Sequence, residues 1–155
     1  MIYEQSPLSQ LDDRAKRVVG LARERAEHLR SDVIGPEHIL LALLAVRRGV
    51  AARAVTNLAG STAAAESAIA EGLEPGTRPA PVHIGFTITC ADAMVRAGQE
   101  ANLLRDARIG TEHLLLGLLM ATGDPAVRRL SGLGVDYDAA RTEIVRLRSA
   151  GTDQP

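Results

Sequence analysis

Two segments of the chain have no polar face. Every position from Ile39 to Val46 is apolar, and the same holds from Leu114 to Met120. A helix without a wettable side belongs in the middle of a core. Around these segments the pattern turns amphipathic. Leu11, Ala15, Val18, Val19, Ala22, Ala26 and Leu29 recur at helical spacing and predict a helix from Asp12 to Leu29. Arg14, Arg17, Arg23, Glu24 and Glu27 fall off that stripe and should be solvated. Pro36 suits the first position of a second helix, where its missing N–H costs nothing. A third helix is predicted over Val50–Leu58, and Ser61 or Thr62 caps a fourth that ends near Glu71-Gly72. In the second half, Cys90, Ala93, Met94, Ala97, Ala101 and Leu104 line a helix over Thr87–Leu104. The apolar segment after Gly110 follows. Asp124-Pro125 then opens a helix that stops at Gly132–Gly134, and Asp136 caps the last, to about Ser149.

The halves are copies. At a constant offset of 75 positions (22 to 97, 109 less 34), Ala22 matches Ala97, and Ile34-Gly35 with Glu37-His38 match Ile109-Gly110 with Glu112-His113. Arg53 matches Arg128, Leu58 matches Leu133 and Ile69 matches Ile144. Two copies are too few for a solenoid. The expectation is therefore all-α: two four-helix repeats in a closed pseudo-twofold bundle, each covering the other's buried face. Its domain spans 11–149, with repeat one at 11–73, a linker at 74–85 and repeat two at 86–149. Residues 1–10 are expected to be a flexible lead-in and 150–155 a frayed tail. Pro75, Pro79 and Pro81 keep the linker out of helix and fairly stiff.

Composition narrows the function classes. The chain has only three aromatic residues, Tyr3, Phe86 and Tyr137, so the core must be aliphatic and Ala-rich. A formal charge of −1 argues against nucleic acid as a partner. The longest apolar run is too short for a membrane span, and Met1–Gln5 lacks the features of a signal peptide. A single cysteine forms no internal disulfide, which fits a reducing cytosol.

A search for catalytic chemistry returns little. No phosphate loop of the G-x-x-x-x-G-K-[ST] type occurs. Cys90 lies on an apolar stripe with nothing beside it to lower its pKa. His28, His38, His83 and His113 lack metal-ligand spacing, and Glu37-His38 and Glu112-His113 place neighbouring side chains about 100° apart on a helix. Both histidines should pack at their helix starts and bond locally. The chain reads as a non-enzyme with no cofactor and no metal.

Several of these residues carry a resemblance. Arg14-Ala15-Lys16-Arg17-Val18, Ile34-Gly35-Pro36-Glu37-His38-Ile39-Leu40-Leu41, Gly49-Val50-Ala51-Ala52-Arg53 and Ile109-Gly110-Thr111-Glu112-His113-Leu114-Leu115 resemble the double Clp N-terminal repeat that caps AAA+ unfoldases of the ClpC type. The likeness covers about residues 8–149. It implies an all-helical cytoplasmic domain that docks adaptors and clients, phosphoarginine-marked proteins among them, for a Clp unfoldase or protease. It also implies a groove for Clp-directed cyclic peptides, here Leu8, Leu11, Lys16 and Phe86. With no ATPase module following, the expectation is a free-standing domain.

The sequence departs from the family in two places. The family's acidic turn is Ala45-Val46-Arg47-Arg48-Gly49 in repeat one and Met120-Ala121-Thr122-Gly123-Asp124 in repeat two. Helix five opens Phe86-Thr87-Ile88-Thr89, without the usual basic residues.

The expected phosphoarginine ligands are Gly110, Thr111, Glu112, Glu37 and Arg14. First-turn N–H groups would face the phosphate, and each glutamate would accept from the guanidinium. The plainer role for Glu37 and Glu112 is to complement a helix dipole, at about 0.3–1 kcal/mol each. Thr111 offers an N–H and a hydroxyl where Pro36 offers neither, so repeat two is expected to be the dominant site. The second functional expectation is a sink that captures the cyclic peptides at Phe86 and spares the unfoldase.

Overall fold

The computed structural model describes residues 7–151. Among the described residues it is predominantly helical, with eight α-helices in two sets of four. Repeat one holds α1 (Asp13–His28), α2 (Pro36–Ala45), α3 (Val50–Ala59) and α4 (Thr62–Ala70). Repeat two holds α5 (Ile88–Leu103), α6 (Thr111–Leu119), α7 (Pro125–Gly132) and α8 (Tyr137–Ser149). The boundaries follow local chemistry. Asp12, Ser61, Thr87, Asp124 and Asp136 each cap a helix by accepting from a first-turn N–H. Only the end of the lead-in expected over 1–10 is described. Pro7–Gln10 form a 3-10 turn packed on α5, and 1–6 lie outside the described residues. Of the tail expected over 150–155, residues 152–155 lie outside them as well.

The two all-apolar helices are central. From Ile39 to Leu44 and from Leu114 to Leu119 every side chain is buried, and Met120 emerges at the end of α6. α2 lies along α1 and α6 along α5, and α3 and α4 cross to meet α8 and α7. The α5–α6 approach is close because of Gly117, where a Cβ would overlap the Ala93 carbonyl. Its mate in repeat one is Ala42, which is fully buried.

One feature was absent from the all-helical expectation. β1 (Val33–Ile34) and β2 (Gly85–Phe86) pair in parallel, Ile34 opposite Phe86, and Leu11 bridges Ile109 in the same sense. Thr87 N–H donates to the Ile34 carbonyl at 3.0 Å, and Asp12 N–H donates to the Ile109 carbonyl at 2.9 Å. The two bonds are mates at the 75-residue offset (12 to 87, 34 to 109). The segment entering the first helix of each repeat thus pairs with the segment entering the second helix of the other. Further bonds cross between repeats. Arg129 donates to the last carbonyls of α4, Ala68 at 2.5 Å and Ile69 at 3.3 Å. Asn57 of α3 reaches Glu143 of α8 at 2.8 Å.

Candidate functional site

The starts of α2 and α6 share one design. Gly35 and Gly110 are extended N-caps without side chains, so their capping is done from within the helix. Gly35 N–H donates to His38 Nδ1 at 2.9 Å, and Gly110 N–H to His113 Nδ1 at 2.7 Å. In each histidine Nδ1 is therefore the acceptor, which leaves Nε2 as the donor nitrogen, and both rings are buried. Burial lowers the His38 pKa, Glu37 opposes that shift and Arg25 adds to it. Glu37 and Glu112 fold back over their own helix starts, so near that a side chain on Gly35 or Gly110 would overlap them. At both starts the anion position facing the dipole is thus held by the chain's own carboxylate.

Beyond this shared design the repeats diverge. Thr111 is buried, and its hydroxyl accepts from Ala51 N–H at 3.3 Å across the repeat boundary. Gly49 makes room for it, since a Cβ there would sit 2.7 Å from Thr111 Oγ1. The hydroxyl expected to reach a phosphate is turned inward, because it serves the start of α3. Gly110 N–H is likewise consumed by His113.

Glu112 has a neighbour that Glu37 lacks. Arg148, in the last turn of α8, lies 3.7 Å from Glu112 and grips Asp106 with both ends of its guanidinium, at 2.6 and 2.7 Å. Asp106 also accepts from His113 Nε2 at 2.7 Å. The Arg148 hydrogen bond holds the Asp106 carboxyl below its usual range, burial opposes it and His113 adds to it.

In repeat one the mates of Asp106 and Arg148 are Ser31 and Leu73. The α2 start opens onto a pocket of about 480 Å³ formed with the α1–β1 loop, the linker and the start of α5. Glu37, Asp32, Glu74 and Asp124 line it with a single cation, Arg30. Thr89 also lines it, so the basic residue missing from helix five is missing from this pocket. Arg14, the mate of Thr89, falls by the same symmetry on the α6 side. The structure thus separates the two helix starts: Glu37 lines one pocket, and Gly110, Thr111 and Glu112 stand at the other start.

The cyclic-peptide candidates are also divided. Leu8 and Lys16 are exposed, Leu11 is buried, and Phe86 is half-buried against the core. Leu11 belongs to the bridge with Ile109, and Phe86 to the ladder with Ile34. Cys90 is buried, and burial pushes its thiol up to about 11, which keeps it protonated and inert. Among the described residues, no group of three or more His, Cys, Asp or Glu is placed to hold a metal ion, and no helix is long and apolar enough to cross a membrane.

Sequence reasoning missed Asp106 and Arg148. They lie 42 positions apart, and no local spacing joins them.

Comparison with known proteins agrees with this architecture. The family described as the Clp repeat (R) N-terminal domain matches residues 10–132 and 85–154. A chaperone protein ClpB of Oceanobacillus iheyensis is 32% identical over 142 residues, which cover 92% of this chain and 17% of that protein. A probable ATP-dependent Clp protease ATP-binding subunit of Chlamydia pneumoniae is 36% identical over 138 residues, 86% of this chain and 16% of that one. The chain therefore spans about a sixth of the length of these relatives. Among solved structures, the N-domain of ClpV from Vibrio cholerae superposes with a TM-score of 0.77 at 16% identity, covering 93% of this chain and 87% of that one. A complex of a ClpV N-domain with a VipB peptide gives 0.74 at 16% identity, with 92% and 88% covered.

Proposed function

The chain belongs to the Clp repeat (R) N-terminal domain family, and from that premise we propose that it docks an arginine-bearing segment of an adaptor or client of the Clp system at the start of α2. It is a binding module rather than an enzyme. The observation that carries this reading is the open pocket of about 480 Å³ at Glu37, where the carboxylates of Asp32, Glu37, Glu74 and Asp124 outnumber the one cation, Arg30. A guanidinium suits such a pocket, since its planar fork matches a carboxylate and it is more weakly hydrated than an ammonium. That a ClpV N-domain of the same fold was solved with a VipB peptide supports a peptide as the ligand.

Phosphoarginine is the finer form of this reading. Its guanidinium would face Glu37, while its phosphate would need the Glu37 carboxylate to leave the helix start. Unmodified arginine should therefore bind at least as tightly as phosphoarginine. Titration calorimetry with acetyl-arginine amide and with phosphoarginine tests this directly. One site is expected, weakened about tenfold or more by Glu37→Gln, since a hydrogen bond to a charged group is worth roughly 1.5–3 kcal/mol. Glu112→Gln should leave it nearly unchanged. A site lost with Glu112→Gln and kept with Glu37→Gln would refute the assignment.

Capture of Clp-directed cyclic peptides is the second reading, favoured by the 41% exposure of Leu8. Such a peptide should raise the melting temperature by mass action. Phe86→Ala should abolish that gain, and an equal gain in parent and variant would move the peptide elsewhere.

A further inference from the structure

Repeat two shows what an occupied start looks like. The Arg148 guanidinium donates to both Asp106 oxygens and stands 3.7 Å from Glu112. Asp106 is itself held in place, because His113 Nε2 donates to Oδ2 at 2.7 Å. The tautomer that permits this is fixed in turn by Gly110 N–H on Nδ1. Two oriented carboxylates thus face one planar cation with fork geometry. Arg148 reaches them from the last turn of a helix, the part of an element that opens at the lowest free-energy cost.

We propose that Asp106 and Glu112 form a second guanidinium subsite, filled in the free chain by Arg148, so that the end of α8 competes with a partner's arginine for repeat two. This rests on, and deepens, the reading of the helix starts as arginine-recognition sites. It gives the repeats different duties: repeat one is open to a partner, and repeat two is engaged only when Arg148 is displaced. The recognised group is an arginine side chain. Lysine is a poor substitute because a point charge cannot bridge both Asp106 oxygens and Glu112.

The test uses the full chain with Arg148→Ala, and with Arg148→Lys as a milder variant should the first fold poorly. Melting is followed with acetyl-arginine amide, acetyl-lysine amide and sodium chloride at equal ionic strength. Both variants should melt below the parent. Acetyl-arginine amide at about ten times its dissociation constant should raise the variant's melting temperature by about 3–5 °C more than the parent's. Acetyl-lysine amide and salt should not. Adding Asp106→Asn should remove the rescue. Equal rescue by the two amides, or no rescue of either variant, overturns the proposal.

Adding Glu37→Gln separates this inference from the reading beneath it. Rescue that persists in Glu37→Gln/Arg148→Ala supports the second subsite even if the parent shows no Glu37-dependent binding, which would sink repeat one alone. Glu37-dependent binding in the parent with no rescue of the variants sinks the second subsite alone.

Discussion

At the scale of single residues, chemistry is concentrated in the third position of α2 and of α6. A glycine N-cap has no side chain to offer, so His38 and His113 bend back and accept the cap N–H. Local bonding of these histidines was legible from the Gly-x-Glu-His openings. Their partner was not, because serine, threonine or aspartate at the cap is the usual signal and both caps are glycine. The arrangement predicts a pH dependence. Burial lowers the His38 pKa in the folded state, so below pH 6.5 the unfolded chain takes a proton that the folded chain resists. The stabilisation is complete above 6.5 and is lost as pH falls toward the folded value. Melting temperatures at pH 7.5 and pH 5.5 should therefore differ more in the parent than in His38→Gln; an equal difference would show that the histidine is not buried neutral. Asp106 works in a lower window. Its pKa is depressed, chiefly by Arg148, so its contribution is present above the ordinary carboxylate value of 3.8 and fades only below it. The two effects are separable by pH alone.

At the scale of elements, the helices were plain in the sequence and their crossings were not. Apolar periodicity located all eight to within a residue or two, because a 16-residue stripe such as that of α1 can be read without knowing its partner. The parallel ladders escaped, since two residues per strand leave no alternation to detect. So did the left-handed turns after α1 and α5, which fall on Arg30 at φ 54° and Arg105 at φ 61° instead of on glycine. The duplication supplies a sharp test of element packing. Gly117 lets α6 lie against the α5 backbone, where its mate in repeat one is a buried alanine, Ala42. Gly117→Ala should cost about 1–3 kcal/mol by overpacking, despite alanine's better helix propensity. Chemical denaturation checks this, and a neutral or stabilising result would mean that α5 and α6 stand further apart.

At the scale of the whole molecule, two copies of one sequence have built a nearly symmetric frame and two unlike surfaces. The frame is exchanged backbone: each repeat's first entry segment is hydrogen-bonded to the other's second. The surfaces differ through a few substitutions. Where repeat two has Asp106 and Arg148, repeat one has Ser31 and Leu73, and where helix one has Arg14, helix five has Thr89. Those exchanges seat a cation at α6 and leave an acidic pocket at α2. The sequence pointed to repeat two as the stronger site because Thr111 offers a hydroxyl that Pro36 lacks. The fold turns that hydroxyl inward onto Ala51 and leaves repeat one the more accessible. The most direct test is to map backbone amide shifts on the isotope-labelled chain during titration with acetyl-arginine amide. The largest changes should fall at Gly35, Glu37 and His38 and at Gly76 and Thr89 across the pocket, with Gly110 to His113 nearly still. Changes centred on Gly110, Thr111 and Glu112, with the α2 start unmoved, would contradict the account.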